Sequence, residues 1–323
     1  MIIGSALSDS VRTGRLAHGS SDELHALGSE GQTGEDVAIS TLDEEERTQA
    51  WGNVSFIKID AEGEELRILD GGRGFFTRQS PVAMFEVRAG LVTDLAVASA
   101  FRAMGYGIYR LLVGAPILVP VAENETLEAI EINLFAVKPE RAATLEAQGL
   151  LARGIATWLP NEKALAGAFD LVRTQSFAAS FPQSFTAATP DPLLRSAFAG
   201  YTAFRDTSLP PSVRVAALTF AGQKMIDLMQ MALTPARLCS LVRFAWEAGR
   251  RNLANQAALR ALQMVREGQL KPSEPFWPPH PRFDTLPAGG QPEAWFVVSI
   301  MESTERLDRK STRLNSSHVS ESR

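Results

Sequence analysis

FIKIDAEGEELRILDGG, residues 56–72, is the stretch whose reading decides the fold. Its first four residues have strand character, carboxylates follow at Asp60, Glu62, Glu64 and Glu65, and Leu66, Ile68 and Leu69 then fall at helical spacing. Gly71-Gly72 supplies a stop for that helix. The acidic turn carries two meanings at once. In an open parallel sheet, ligands sit beyond the carboxyl ends of the strands, which is where Asp60 falls. Asp60 is also a good N-cap, and Glu62, Glu64 and Glu65 in a first turn would complement the helix dipole. Lys58 adds a constraint, because an ammonium within a buried strand needs a partner or a cavity. Strand alternation puts Phe56, Lys58 and Asp60 on one face, so the expected partner of Lys58 is Asp43, Glu86 or Asp60 itself, in a structural ion pair.

Working outward, Pro81 precedes a short apolar run at 82–87 (VAMFEV) that also ends near a carboxylate, Glu86. A helical stretch follows at 91–104, stopped by Gly105, then a strand pair at 108–113 and 117–121 around Gly114-Ala115-Pro116, then a strand at 130–137. Strand, helix, strand, helix and three strands imply an α/β fold with a parallel sheet covered on both faces and an antiparallel finish. If the strands at 56 and 82 are neighbours, Asp60 and Glu86 face one crevice. Carboxylates there can take a proton from a substrate hydroxyl, or hold a cation or a ribose. Upstream, the polar Gly- and Ser-rich residues 10–35 read as loops and short hairpins, and Val37, Ile39 and Thr41 alternate as a strand into Leu42-Asp43.

From residue 140 the pattern changes to helices, at 140–151, 161–173, 192–205, 212–231, 235–248 and 252–267, with a strand expected only at 295–300. The last two helices, joined at Gly249, form an αα-hairpin similar in kind to a tetratricopeptide unit. Residues 271–292 (KPSEPFWPPHPRFDTLPAGGQP) are Pro-rich and expected to be extended on the surface.

Composition bounds the partners. With 323 residues there is room for about two domains. A net charge of −5 gives no electrostatic reason to expect nucleic acid or an anionic membrane surface. The most apolar run, 111–122, is too short to span a bilayer, and no basic region follows Met1. The single cysteine, Cys239, excludes an internal disulfide and fits a reducing compartment, so a cytoplasmic protein is expected. No metal-ligand spacing is present, and His18 and His25 fall in the polar loop as solvated side chains. Residues 308–318 (DRKSTRLNSSH) match the translation of a sequencing-library adapter, so nothing beyond Leu307 is given a function.

The acidic stretch, followed by Phe75-Phe76, Pro81 and "MFEV", resembles the second half of the FkbM family of S-adenosylmethionine-dependent methyltransferases. The family pattern is an apolar strand into K-x-D-x-E-G-x-E, a helix ending at Gly, then P-x-x-x-x-E. Lys58, Asp60, Glu62, Gly63, Glu65, Gly71, Pro81 and Glu86 match it. "ALSD" at 6–9, "ISTLD" at 39–43 and "NLFAVKP" at 133–139 resemble further family segments in the same order. The resemblance implies a partial class I, Rossmann-like methyltransferase sheet over 1–139, followed by a mainly helical domain over 140–307. It implies methyl transfer from S-adenosylmethionine to a hydroxyl of a sugar, glycan or polyketide-like acceptor. By position, Ser8 and Asp9 would lie near the adenine, and Asp60 near the methionine end or the acceptor. Asp60 is the expected base or positioning group, with Glu62 and Glu86 as second choices. The sequence departs from the class I pattern in having no glycine-rich turn between a first strand and helix, and no acidic end to a second strand. The expectation is therefore a chain that starts at about the third strand and is inactive alone. The alternative is a helical module that binds a protein partner, attached to a degenerate methyltransferase domain.

Overall fold

The computed structural model describes residues 3–17, 26–28, 34–61, 63–87, 95–123, 125, 127–128, 133–186 and 191–318. The chain divides into two compact units, Met1–Leu111 with Pro120–Gln148, and Leu112–Val119 with Gly149–Arg323.

The first unit opens with β1 (Ser5–Leu7), β2 (Arg12–Ala17), β3 (Ala26–Gly28) and β4 (Gly34–Ser40). These form one sheet in the order β1-β4-β2-β3, with β1 parallel to β4 and the other pairs antiparallel. Then come α1 (Leu42–Gln49), β5 (Phe56–Ile59), α2 (Glu65–Asp70), α3 (Arg73–Gln79), β6 (Val82–Glu86), α4 (Ala96–Ala103), β7 (Gly107–Leu111), β9 (Asn133–Val137) and α5 (Pro139–Ala147), while β8 (Leu118–Pro120) has its first two residues in the second unit. In a second sheet β5, β6, β9 and β7 lie in that order. β5 and β6 are parallel, whereas β9 runs antiparallel to both β6 and β7, so the expected antiparallel finish is inserted between parallel strands. The expected helix at 91–104 is seen from Ala96; residues 88–94 lie outside the described ones.

One face of this sheet builds the core. Ile59, Ala83, Phe85, Leu134, Ala136 and Ile108 are buried there, beside Phe75, Phe76, Phe101 and Tyr106 from the helical side. Edge-to-face ring contacts at 5.3 to 6.3 Å link Phe75, Phe76, Phe101 and Tyr106. On the opposite face β5 is open, with Phe56 52% exposed, whereas Tyr109 of β7 is buried there. The reason lies in the strand order, since β5 ends the sheet among the described residues.

Residues 61–79 hold a second correction. Asp60 is not an N-cap; Glu64 occupies that position, without a side-chain capping bond, and α2 is only six residues long. The stop expected at Gly71-Gly72 ends α2, and a further helix, α3, begins at Arg73 where no element was expected. Asp43 of α1 substitutes for the missing cap, accepting from the backbone N–H groups of Gly74 and Phe75.

The second unit is helical: α6 (Glu162–Ala166), α7 (Asp170–Arg173), α8 (Pro182–Thr186), α9 (Pro192–Arg205), α10 (Pro211–Met231), α11 (Pro235–Glu247), α12 (Arg251–Arg266) and α13 (Pro292–His318). Gly167 separates α6 from α7, where a single helix was expected. From α9 onward each helix packs on the next. Asn161, Asp191 and Thr234 cap α6, α9 and α11, and Pro fills the first turn of α9, α10 and α11. The strand expected at 295–300 is part of α13: Phe296 and Ile300, four residues apart, are both fully buried on one helical face. α11 is buried almost all round, with Arg243 inside. Arg243 pairs with Glu247 at 2.7 Å and Asp284 at 2.6 Å, and the Tyr201 hydroxyl donates to Glu247 at 2.9 Å. The Pro-rich segment is thus tied into the core rather than wrapped on the surface; Phe276 and Trp277 are buried in it. Burial pushes the Cys239 thiol well above its usual range, which leaves it unreactive near neutral pH. Among the described residues, no helix is long and apolar enough to cross a membrane.

Candidate active site

The parallel register puts Ile59 opposite Phe85, so Asp60 and Glu86 stand level at the carboxyl ends of β5 and β6. Alternation aims both to the same face as Lys58 and Met84. Lys58 Nζ donates to Asp60 Oδ2 at 2.7 Å, with the two side chains 53% and 39% exposed. Asp60 is thus the partner of Lys58, and the pair is open to solvent rather than buried in a strand. The bond from Lys58 holds the Asp60 carboxyl below the usual carboxylate range, outweighing partial burial. The charge of Lys58 and a hydrogen bond with the Glu86 carboxyl act in the same direction. Lys58 is raised in turn, by its bond to Asp60, the charge of Asp60 and the charge of Glu86. Three groups that are 28 residues apart at their extremes in sequence, from Lys58 to Glu86, therefore act on one another electrostatically. Glu62 lies outside the described residues.

Ser8 and Asp9 follow β1 and come to the other side of the acidic loop. Ser8 is fully buried; its N–H donates to Ser40 O at 2.9 Å and its hydroxyl to Glu64 Oε2 at 2.8 Å. Glu64 also accepts from Arg67 at 3.1 Å. Asp9 is exposed, and its carboxylate accepts from Ser10 at 2.8 Å and Arg12 at 3.0 Å. Those two bonds hold it below the usual range, with the nearby charge of Arg67 adding to the effect. The end of β1 and the loop after β5 thus meet through Ser8 and Glu64. Gly71 makes the meeting possible, since a Cβ there would stand 2.2 Å from the Ser8 carbonyl oxygen.

Two roles in the loop escape a reading by sequence pattern. The Glu65 carboxylate, only 9% exposed, turns back and accepts from Ala61 N at 3.2 Å and from Gly63 N at 3.0 and 3.1 Å. Gly63 sits at φ +104°, a conformation that glycine adopts without a Cβ penalty. The glycine within an acidic run was the available signal that the chain reverses locally and that a following carboxylate can reach back. Asp43, expected as part of a family-like segment and as a candidate partner of Lys58, instead caps α3 from α1 and pairs with Arg78. Among the described residues no group of three or more His, Cys, Asp and Glu could hold a metal ion; His18 and His25 lie outside them.

The site sits inside a segment similar to a known domain. Residues 5–108 match the model of the Methyltransferase FkbM domain. No curated protein and no solved structure matches the chain. The acidic loop, α2, α3 and β6 lie within the matched segment, which ends within β7.

Proposed function

We propose that this protein is an S-adenosylmethionine-dependent O-methyltransferase that acts in the cytoplasm on a hydroxyl of a sugar, glycan or polyketide-like acceptor. The observation that carries the reading is the Lys58–Asp60–Glu86 group at adjacent parallel strand ends, inside the FkbM-type segment. S-adenosylmethionine, when bound, supplies an electrophilic methyl group. The residues present fit one side of such a cofactor. Asp9 and Asp60 keep carboxylate oxygens at the surface that can accept from an amino or ribose hydroxyl group. Ser8 has its hydroxyl committed to Glu64, so its part is to fix the turn that presents Asp9.

On the acceptor side, Asp60 orients the hydroxyl by accepting its hydrogen bond and then takes its proton. A carboxyl held low by Lys58 is a weak base, but the acceptor oxygen becomes strongly acidic as its bond to carbon forms, so a weak base suffices. Alignment supplies the rest of the rate. Glu86, level with Asp60 at the end of β6, and Glu62, two residues after Asp60 in sequence, are the further candidates for that proton.

We infer weak cofactor binding by this chain alone, because its sequence carries no glycine-rich strand-to-helix turn to take the cofactor's other side. The test is a two-dimensional NMR titration with S-adenosylmethionine into the millimolar range. The amide signals of Asp9, Asp60 and Gly63 are expected to shift, and to shift less in Asp60→Asn. Unmoved signals at those three residues would sink the reading, and a micromolar dissociation constant by calorimetry would overturn the expectation of weak binding.

A further inference from the structure

We infer that Glu65 is a positioning residue for Asp60: by gathering the N–H groups of Ala61 and Gly63 onto its carboxylate, it fixes the peptide plane that follows Asp60 and so aims the Asp60 side chain at Lys58 and Glu86. The inference rests on reading Asp60 as the working carboxyl, but its test does not use methyl transfer. Four carboxylates lie within six residues here, and their geometry separates them. Asp60 points outward, 39% exposed, into the pair with Lys58. Glu64 faces the end of β1, where it accepts from Ser8 and Arg67. Glu65 alone among the described ones turns inward on its own loop, and both of its oxygens are used for backbone donors.

The coupling has a direct covalent route. The Ala61 N–H that Glu65 holds belongs to the Asp60–Ala61 peptide, so holding it restrains ψ of Asp60. Gly63, at φ +104°, brings the second N–H round to the same carboxylate, and Glu64 N donates to Ala61 O at 3.1 Å to close the turn. Hydrogen bonds from backbone N–H groups to an ionised carboxylate are the stronger, charge-assisted kind. They persist here because Glu65 is buried against competition from water. Without them, the backbone bond left to the turn among the described residues is the one from Glu64 N to Ala61 O, and Asp60 can swing away from Lys58.

Carboxyl-detected NMR would follow the titration of Asp60 in the whole chain as wild type, Glu65→Ala, Glu65→Gln and Glu64→Gln. The groups that face Asp60 are Lys58 and Glu86, and all four proteins retain both. In wild type Asp60 is expected to titrate below its ordinary value of about 3.9. Glu65→Ala is expected to move it up toward that value. Glu65→Gln, which keeps an oxygen to accept from Gly63 and Ala61, is expected to restore most of the wild-type value, and Glu64→Gln is expected to leave it unmoved. An unshifted Asp60 in Glu65→Ala would overturn the inference, as would an equal upward shift in Glu64→Gln. If Glu65→Ala does not fold, Glu65→Asp, whose carboxylate is one methylene short of the Ala61 and Gly63 N–H groups, takes its place: an upward Asp60 shift there and not in Glu64→Gln supports the inference, and no shift there overturns it.

Discussion

Lys58 keeps Asp60 ionised below the usual carboxylate range, and the sign of each shift fixes how the pair responds to pH. A carboxyl lowered in the folded state adds stability above its unfolded pKa, about 3.9, which is lost as pH falls through the folded value. An amine raised in the folded state adds stability below its unfolded pKa, about 10.4, which is lost as pH rises through the folded value. Replacing Lys58 by Met should therefore lower the melting temperature by a small, constant amount across neutral pH. The gap to wild type should close below about pH 3.9 and above about pH 10.4. Thermal melts followed from about pH 7 down to about pH 2 and up to about pH 12 would check this, and a gap that stayed constant through the whole acid limb would mean that Lys58 acts by packing. At this scale sequence reasoning reached Asp60, Glu86 and the candidate partners of Lys58, because strand alternation and the ends of strands follow from a period of two. It missed the exposure of Lys58, which depends on where β5 stands in the sheet. The division of labour among Glu64, Glu65 and Asp60 was also out of reach, since neighbouring carboxylates look alike until a backbone reversal turns them in different directions.

Between elements, the decisive contact is the one that brings the end of β1 onto the turn after α2. Gly71 and Gly72 were legible as a helix stop, but not as a point of close approach. A Cβ at Gly71 would meet the Ser8 carbonyl oxygen at 2.2 Å and Asp9 Cα at 3.2 Å, and both are backbone atoms that cannot rotate aside. Gly71→Ala should therefore cost about 1–3 kcal/mol of stability. The matching change at Gly52, where no atom lies within 4 Å, provides the control. Urea denaturation of the two variants would measure the difference, and a wild-type midpoint for Gly71→Ala would show that the Ser8 peptide is free to move. Asp43 makes the same point about reach: it caps α3 from 31 residues away in sequence. A capping signal is sought in the residue just before a helix, so a cap supplied by another element is invisible to it.

Each of the two compact units has its own core, and the second is organised around a buried charge. Arg243, fully buried on α11, binds the Asp284 carboxylate through two nitrogens, at 2.6 and 3.1 Å, and Glu247 at 2.7 Å. It also donates to the Pro278 carbonyl at 3.2 Å. Removing one member of such a cluster leaves the others uncompensated, so Arg243→Met should cost about 3–5 kcal/mol, read as a lower urea midpoint for loss of helical ellipticity. A cost below about 1 kcal/mol would place the attachment of the Pro-rich segment in its buried aromatics, Phe276 and Trp277. The sequence by itself determined the βα unit at 56–70, its acidic turn, the parallel-then-antiparallel order of strands and the change to helices after residue 140. These are local consequences of periodicity, glycine stops and chain order. Only the tertiary structure decided which carboxylates meet, which face of β5 is open, and that Arg243 and the Pro-rich segment lie inside the core. Those facts depend on non-local neighbours, and a charge can be buried or exposed only once its partners from distant parts of the chain have been brought to it.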